Sequence, residues 1–162
     1  MKSKLFLFSI LFFTFCSIKA QKPPAKNTIP PFNILLTNLT YLKAEELTKD
    51  ANKMIVYFDP TCEHCKLFTA DILKHSNDFG NTQIIMISYT PIAQIAQFET
   101  DFNLTKYPNI KAGTEGYTFL VQRFYNVQKF PFTALYNRQG LLVAFYRQAP
   151  AVSELLLKMK KT

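Results

Sequence analysis

The 162-residue chain has no tryptophan, two histidines and three cysteines, and these scarcities narrow what it can be. Only Cys62 and Cys65 lie outside the amino-terminal segment that carries Cys16, so no disulfide framework is present to hold a small core together. A metal site built on that pair needs two more ligands, and His64 and His75 are the only histidines on offer. Charge excludes a further class. The formal net charge is +8, yet the basic residues are scattered. They cluster only at Lys158, Lys160 and Lys161, and no run interleaves them with aromatics, so a solvated surface is expected and nucleic acid is not a partner. There are no internal repeats, and no biased tract beyond a short proline-rich stretch.

Residues 1–20 read as an export signal. Lys2 and Lys4 precede an apolar core from Leu5 to Phe15, and Ile18-Lys19-Ala20 before Gln21 is a small-residue cleavage site. The core is too short to span a bilayer, so no stable membrane insertion is expected after cleavage. Lipidation at Cys16 is disfavoured by the bulky Phe15 before it. Loss of the three lysines leaves sixteen basic residues against eleven acidic, a net of +5, on 142 residues, enough chain for one domain. Pro23, Pro24, Pro30 and Pro31 make residues 21–31 an extended linker.

The domain is expected over residues 32–162. Phe32 to Leu36 reads as an edge strand, and Leu42 to Lys53 carries helix formers. Met54 to Phe58 and Gln83 to Ser88 are continuously apolar, as in strands buried on both faces. Between them Cys65, Phe68 and Ile72 recur at helical spacing, with Gly80 in the exit turn, giving a βαβ unit. Pro91 opens a second helix marked by Ile92, Ile95, Ala96, Phe98 and Phe102, and Lys106 to Tyr117 reads as a loop. A short helical stretch follows over Phe119 to Phe124. Phe132 to Asn137 and Leu141 to Arg147 form a hairpin across Asn137-Arg138-Gln139-Gly140, and Val152, Leu155, Leu156 and Met159 mark a closing amphipathic helix. The order predicts an α/β fold, a mixed central sheet with helices on both faces.

The chemistry centres on Phe58-Asp59-Pro60-Thr61-Cys62-Glu63-His64-Cys65, where a buried strand ends and a helix begins. Cysteines three apart on a helix share a face, close enough to join as a disulfide after a small rotamer change. Unpaired N–H groups and the helix dipole favour a thiolate at Cys62, making it the more reactive sulfur, with Cys65 one turn deeper as the resolving partner. Protonated His64 supports that thiolate and Glu63 opposes it, so these two tune the pair. Asp59 reads as a turn residue, Tyr57 and Phe58 as core, and His75 as a helix-surface residue.

A second motif lies 69 positions after Cys62, where Pro131 directly precedes a strand in Tyr125-Asn126-Val127-Gln128-Lys129-Phe130-Pro131-Phe132-Thr133. A central strand rarely tolerates such a proline, and a cis Phe130–Pro131 bond accounts for it. The two motifs together resemble the thioredoxin superfamily, most closely its exported TlpA/ResA-like branch of thiol-disulfide oxidoreductases. The resemblance implies a thioredoxin-like fold, a cis proline facing the cysteine pair and keeping metal from the thiols, and backbone hydrogen bonds from Phe130, next to Pro131, to an extended substrate segment. It departs from the family in lacking any tryptophan, in carrying Val56 where thioredoxins keep a buried acid, and in placing Lys129 where a small residue is common.

These readings describe an exported monomer in the periplasm or cell envelope, exchanging disulfides with protein thiol/disulfide substrates and a redox partner, with no cofactor and no metal. Its redox potential is expected to be less reducing than that of a cytosolic thioredoxin. Two alternatives remain open on sequence: a copper chaperone using Cys62, Cys65 and a histidine, and an adaptor that keeps the fold without turnover.

Overall fold

The computed structural model describes residues 27–160; the expected signal segment, with Cys16, lies outside them. Strands β1 (Asn33–Leu36), β2 (Tyr41–Lys43), β3 (Lys53–Tyr57), β4 (Gln83–Ser88), β5 (Ile110–Thr114), β6 (Phe132–Tyr136) and β7 (Leu142–Tyr146) form one sheet in the order β2-β1-β5-β4-β3-β6-β7. Strands β3, β4 and β5 are parallel; the other pairings are antiparallel, so the sheet is mixed. Helices α1 (Glu63–Lys74), α2 (Ile92–Asp101), α3 (Leu120–Tyr125) and α4 (Val152–Lys160) flank it.

Alternation along the buried strands sorts the core into two halves. Met54, Val56, Ile84 and Met86 face α1, α2 and α4, where Phe68, Ile72, Ile95, Phe98, Leu155 and Met159 cover them. Ile55, Tyr57, Ile85 and Ile87 face the other way, against Ile34, Val121 of α3, and Phe132, Ala134 and Tyr136 of β6. Successive side chains on a strand point to opposite faces, which is why β3 and β4 need unbroken apolar runs. Each fully buried Ile or Phe contributes about 1.5–3 kcal/mol relative to exposure.

Three stretches differ from the sequence expectation. Phe32 to Leu36 is not at the edge: β1 lies between β2 and β5. The helix expected from Leu42 to Lys53 is instead β2, a 3-10 turn at Ala44–Glu46 and an irregular return to β3. Its apolar residues, Leu42, Leu47 and Ala51, are five and four apart, which does not sustain a helical stripe. Local hydrogen bonds hold the alternative: Asn38 Oδ1 accepts from the Thr40 N–H, turning β1 back into β2, and Glu46 accepts from the Lys43 N–H at 2.7 Å.

The third is Lys106 to Tyr117, expected as a loop, which contains β5 paired to both β1 and β4. Gly113 disguised it. A Cβ there would sit 2.7 Å from the Leu35 carbonyl oxygen, so the close approach of β1 requires a residue without a side chain. The expected linker, 21–31, is described only from Asn27. There the Asn27 carbonyl accepts from the Leu142 N–H at 2.8 Å, Thr28 bridges Leu141, and Pro30 is buried.

The candidate active site at the start of α1

The site is built where the parallel strands end. Beyond Tyr57 the Phe58 N–H donates to the Ile87 carbonyl at 2.9 Å, and the chain then bends at Asp59-Pro60. The Asp59 carboxylate makes the bend: one oxygen accepts from the Thr61 N–H (2.8 Å) and hydroxyl (2.7 Å), the other from the Tyr89 hydroxyl (2.9 Å). Burial works to raise the pKa of Asp59, but these donors outweigh it and hold the group below the usual carboxylate range. The structure thus gives Asp59 a turn role that also joins the ends of β3 and β4.

Cys62 follows as the N-cap of α1, with extended backbone (φ −74°, ψ 120°). Its carbonyl accepts from the N–H groups of Cys65 (3.0 Å) and Lys66 (3.1 Å), and no side chain caps the helix. Its sulfur is therefore left for other work. Both sulfurs are free thiols; Cys62 is half-buried, whereas Cys65 is 1 % exposed. Burial, opposed by the Asp59 backbone N–H and reinforced by donation of its S–H to Cys62, pushes the Cys65 thiol up to about 12.

The Phe130–Pro131 peptide bond is cis, and the Phe130 carbonyl oxygen lies 4.0 Å from the Cys62 sulfur. The Phe130 ring is stacked against Tyr89, with centroids 6.0 Å apart, and also meets Tyr57 at 6.0 Å. Two motifs nearly seventy residues apart thus converge on one sulfur.

Other residues singled out in the sequence fall into place around this centre. Glu63 is exposed and pairs loosely with Lys66 at 3.8 Å, an arrangement worth little in water. His64 is exposed and lines a shallow cleft with Lys129, Phe130 and Pro131. His75, at the opposite end of α1, lies between Asp71 and Asp78 and is not part of the site. Val56 is in the core. Among the described residues no group of three or more His, Cys, Asp or Glu side chains comes together to hold a metal.

One group was not anticipated. Glu115, 5 % exposed just past β5, accepts from the Tyr57 hydroxyl (2.7 Å) and from the N–H groups of Val121 (2.7 Å) and Gln122 (3.3 Å). It caps α3 and anchors Tyr57, whose ring supports Phe130. Within a stretch read as loop, no periodicity pointed to a buried acid. Burial, followed by the bond to Glu115, drives the Tyr57 phenol well above its ordinary range.

No protein-family model and no curated protein matches the chain. Solved structures do match in fold. A secreted disulfide oxidoreductase from Mycobacterium tuberculosis, homologous to E. coli DsbE, superposes with a TM-score of 0.67 at 15% identity, over 82% of this chain and 96% of that one. A thiol-disulfide oxidoreductase from Bacteroides fragilis gives 0.66 at 14% identity, covering 81% and 98%. A peroxiredoxin-like protein from Aquifex aeolicus gives 0.68 at 13% identity, covering 83% and 85%. The chain therefore has a thioredoxin-like α/β fold. No helix among the described residues is long and apolar enough to cross a membrane.

Proposed function

We propose that this chain is an exported thiol–disulfide oxidoreductase that exchanges disulfides with protein substrates through Cys62 and Cys65. The observation that carries the reading is the asymmetry of the pair. One sulfur is half-buried at a helix start, 4.0 Å from the carbonyl that precedes a cis proline; the other is buried one turn deeper, where burial pushes its thiol up. The thioredoxin-like fold and the disulfide oxidoreductases that share it support the same reading.

In the reaction Cys62 thiolate attacks a substrate disulfide. A bond forms between Cys62 and one substrate sulfur, and the other substrate sulfur leaves as thiolate. Cys65 then gives up its proton, which the substrate thiolate released in the first step takes up, and attacks the Cys62 sulfur, so that the second substrate sulfur leaves as thiolate. The protein dithiol is oxidised to the Cys62–Cys65 disulfide by two electrons, and the substrate disulfide is reduced by the same two. The steps reverse when a dithiol is the substrate. His64 and Glu63, in the first turn, act on the thiolate in opposite senses. Phe130 and Pro131 form the ledge on which an extended substrate segment lies, the Phe130 backbone supplying strand-like hydrogen bonds. The redox partner that resets the pair is a second thiol protein of the same compartment, and no cofactor is needed for the exchange itself.

A trapping experiment tests this. With Cys65→Ala the second attack is removed, so mixed disulfides with substrate proteins accumulate at Cys62 and disappear on adding reductant. With Cys62→Ser added they do not form. Absence of any Cys62 adduct in the single variant contradicts the assignment.

A further inference from the structure

Charge is distributed unevenly on the two sides of the Phe130 ledge. On one side a cleft of about 370 Å³ is lined by His64, Lys129, Pro131 and Gln148. It adjoins a second of about 190 Å³, which shares Lys129 and Gln148 and reaches Arg147. No carboxylate of the described residues lines either one. Lys129 is exposed and directly precedes Phe130. Arg147 is held in place rather than neutralised: its guanidinium donates to the Asn126 carbonyl at 3.1 Å and lies 5.6 Å from the centre of the Phe145 ring.

Glu63 and Glu154, on the flanking helices, lie outside both linings: Glu63 pairs loosely with Lys66, and Glu154 accepts from the Tyr146 hydroxyl at 2.9 Å. On the other side of the sulfur pair, Asp59 is taken up by its three donors, and the surface is aromatic, with Tyr89 and the 87 % exposed Tyr117. A substrate strand crossing Phe130 therefore meets cationic side chains on one flank and phenol rings with the Asp59 carboxylate on the other.

We infer that the Lys129–Arg147 cleft selects client segments bearing acidic side chains beside the disulfide cysteine, with Lys129 as the specificity-determining cation. This deepens the oxidoreductase reading and rests on it. Electrostatic complementarity acts mainly by raising the encounter rate and by penalising like-charged partners, so the preference weakens with salt. One exposed ion pair corresponds to a preference of about two- to fivefold.

The test uses the full mature chain, pre-reduced, in single-turnover exchange with three disulfide-linked peptides that differ only in glutamate, glutamine or lysine beside the cysteine. The expected order of second-order rates is glutamate, then glutamine, then lysine, with the glutamate peptide about two- to fivefold ahead of glutamine at low salt and the gap closing as salt rises. Lys129→Glu reverses the order, and Lys129→Gln flattens it. Lys74→Gln, which removes the same charge at the far end of α1, leaves it unchanged. Equal rates for the three peptides with exchange intact, or an order that Lys74→Gln alters as much as Lys129→Gln, overturn this assignment alone. Failure to exchange with every peptide overturns the oxidoreductase reading and this one with it.

Discussion

The Cys62 sulfur and the Phe130 carbonyl oxygen lie 4.0 Å apart although 68 residues separate them in the chain. Two features bring them together. The Asp59 turn sets the start of α1 at the end of β3, and antiparallel pairing of β6 with β3, Tyr57 opposite Phe132, places the cis peptide beside it. The site is thus a property of the sheet, and changes in its supports should be felt at the sulfurs.

Cys65 is expected to be a reluctant thiolate. Its folded-state value, pushed up chiefly by burial to about 12, lies above the 9.0 of an unperturbed thiol. In the window between the two, the unfolded chain releases a proton that the folded chain keeps. The contribution to stability is fully present below pH 9 and is lost as pH rises toward 12. Carbon NMR of labelled cysteine in the reduced protein should show the Cys65 resonance still shifting well above pH 9. A completed Cys65 titration near that pH contradicts the burial argument.

Asp59 runs the other way. Its hydrogen bonds hold the folded-state value below the unfolded one, so its contribution is present above the ordinary carboxylate range and vanishes as pH falls through the depressed value. Asp59→Asn should destabilise the protein by about 1–2 kcal/mol at neutral pH, the low end for hydrogen bonds to a charged acceptor because Asp59 is only partly buried. Urea melts of both proteins should converge in acid. A penalty that persists undiminished there would mean that shape, and not charge, holds the turn.

Glu115 should behave as a buried anchor. Glu115→Ala strands the Tyr57 hydroxyl and two amides, and a loss of about 3 kcal/mol is expected in denaturant melts. Tyr57→Phe removes one donor, with the carboxylate still held by Val121 and Gln122, and should cost about 1 kcal/mol. A Glu115→Ala loss no greater than that of Tyr57→Phe contradicts the anchor role.

Much of this was legible in the chain because the relevant signals are local. The unbroken apolar runs of β3 and β4, the helical spacing of Cys65, Phe68 and Ile72, the Asn137–Gly140 turn and the proline before β6 each encode their own structure. What escaped depends on distant partners. β5 was hidden because Gly113 answers to the Leu35 carbonyl of another strand, a requirement that leaves no apolar pattern. The segment after Leu42 has helix-forming composition, but Asn38 and Glu46 satisfy the backbone in a hairpin and turn instead. Glu115 was invisible because burial of an acid is decided by the donors around it, Tyr57 and the first amides of α3. At the site, the two cysteines and Phe130-Pro131 were identifiable from residue order, whereas the Tyr89–Asp59 link and the Lys129–Arg147 cleft required the fold.

The proposed chemistry requires Cys62 and Cys65 to interconvert between dithiol and disulfide. The most direct measurement equilibrates the protein in glutathione buffers of graded ratio, quenches with an alkylating agent and weighs the products. A single two-electron transition is expected, in which doubly alkylated protein gives way to unalkylated protein carrying the Cys62–Cys65 bond, and Cys62→Ser abolishes it. Two alkyl groups at every ratio would contradict it.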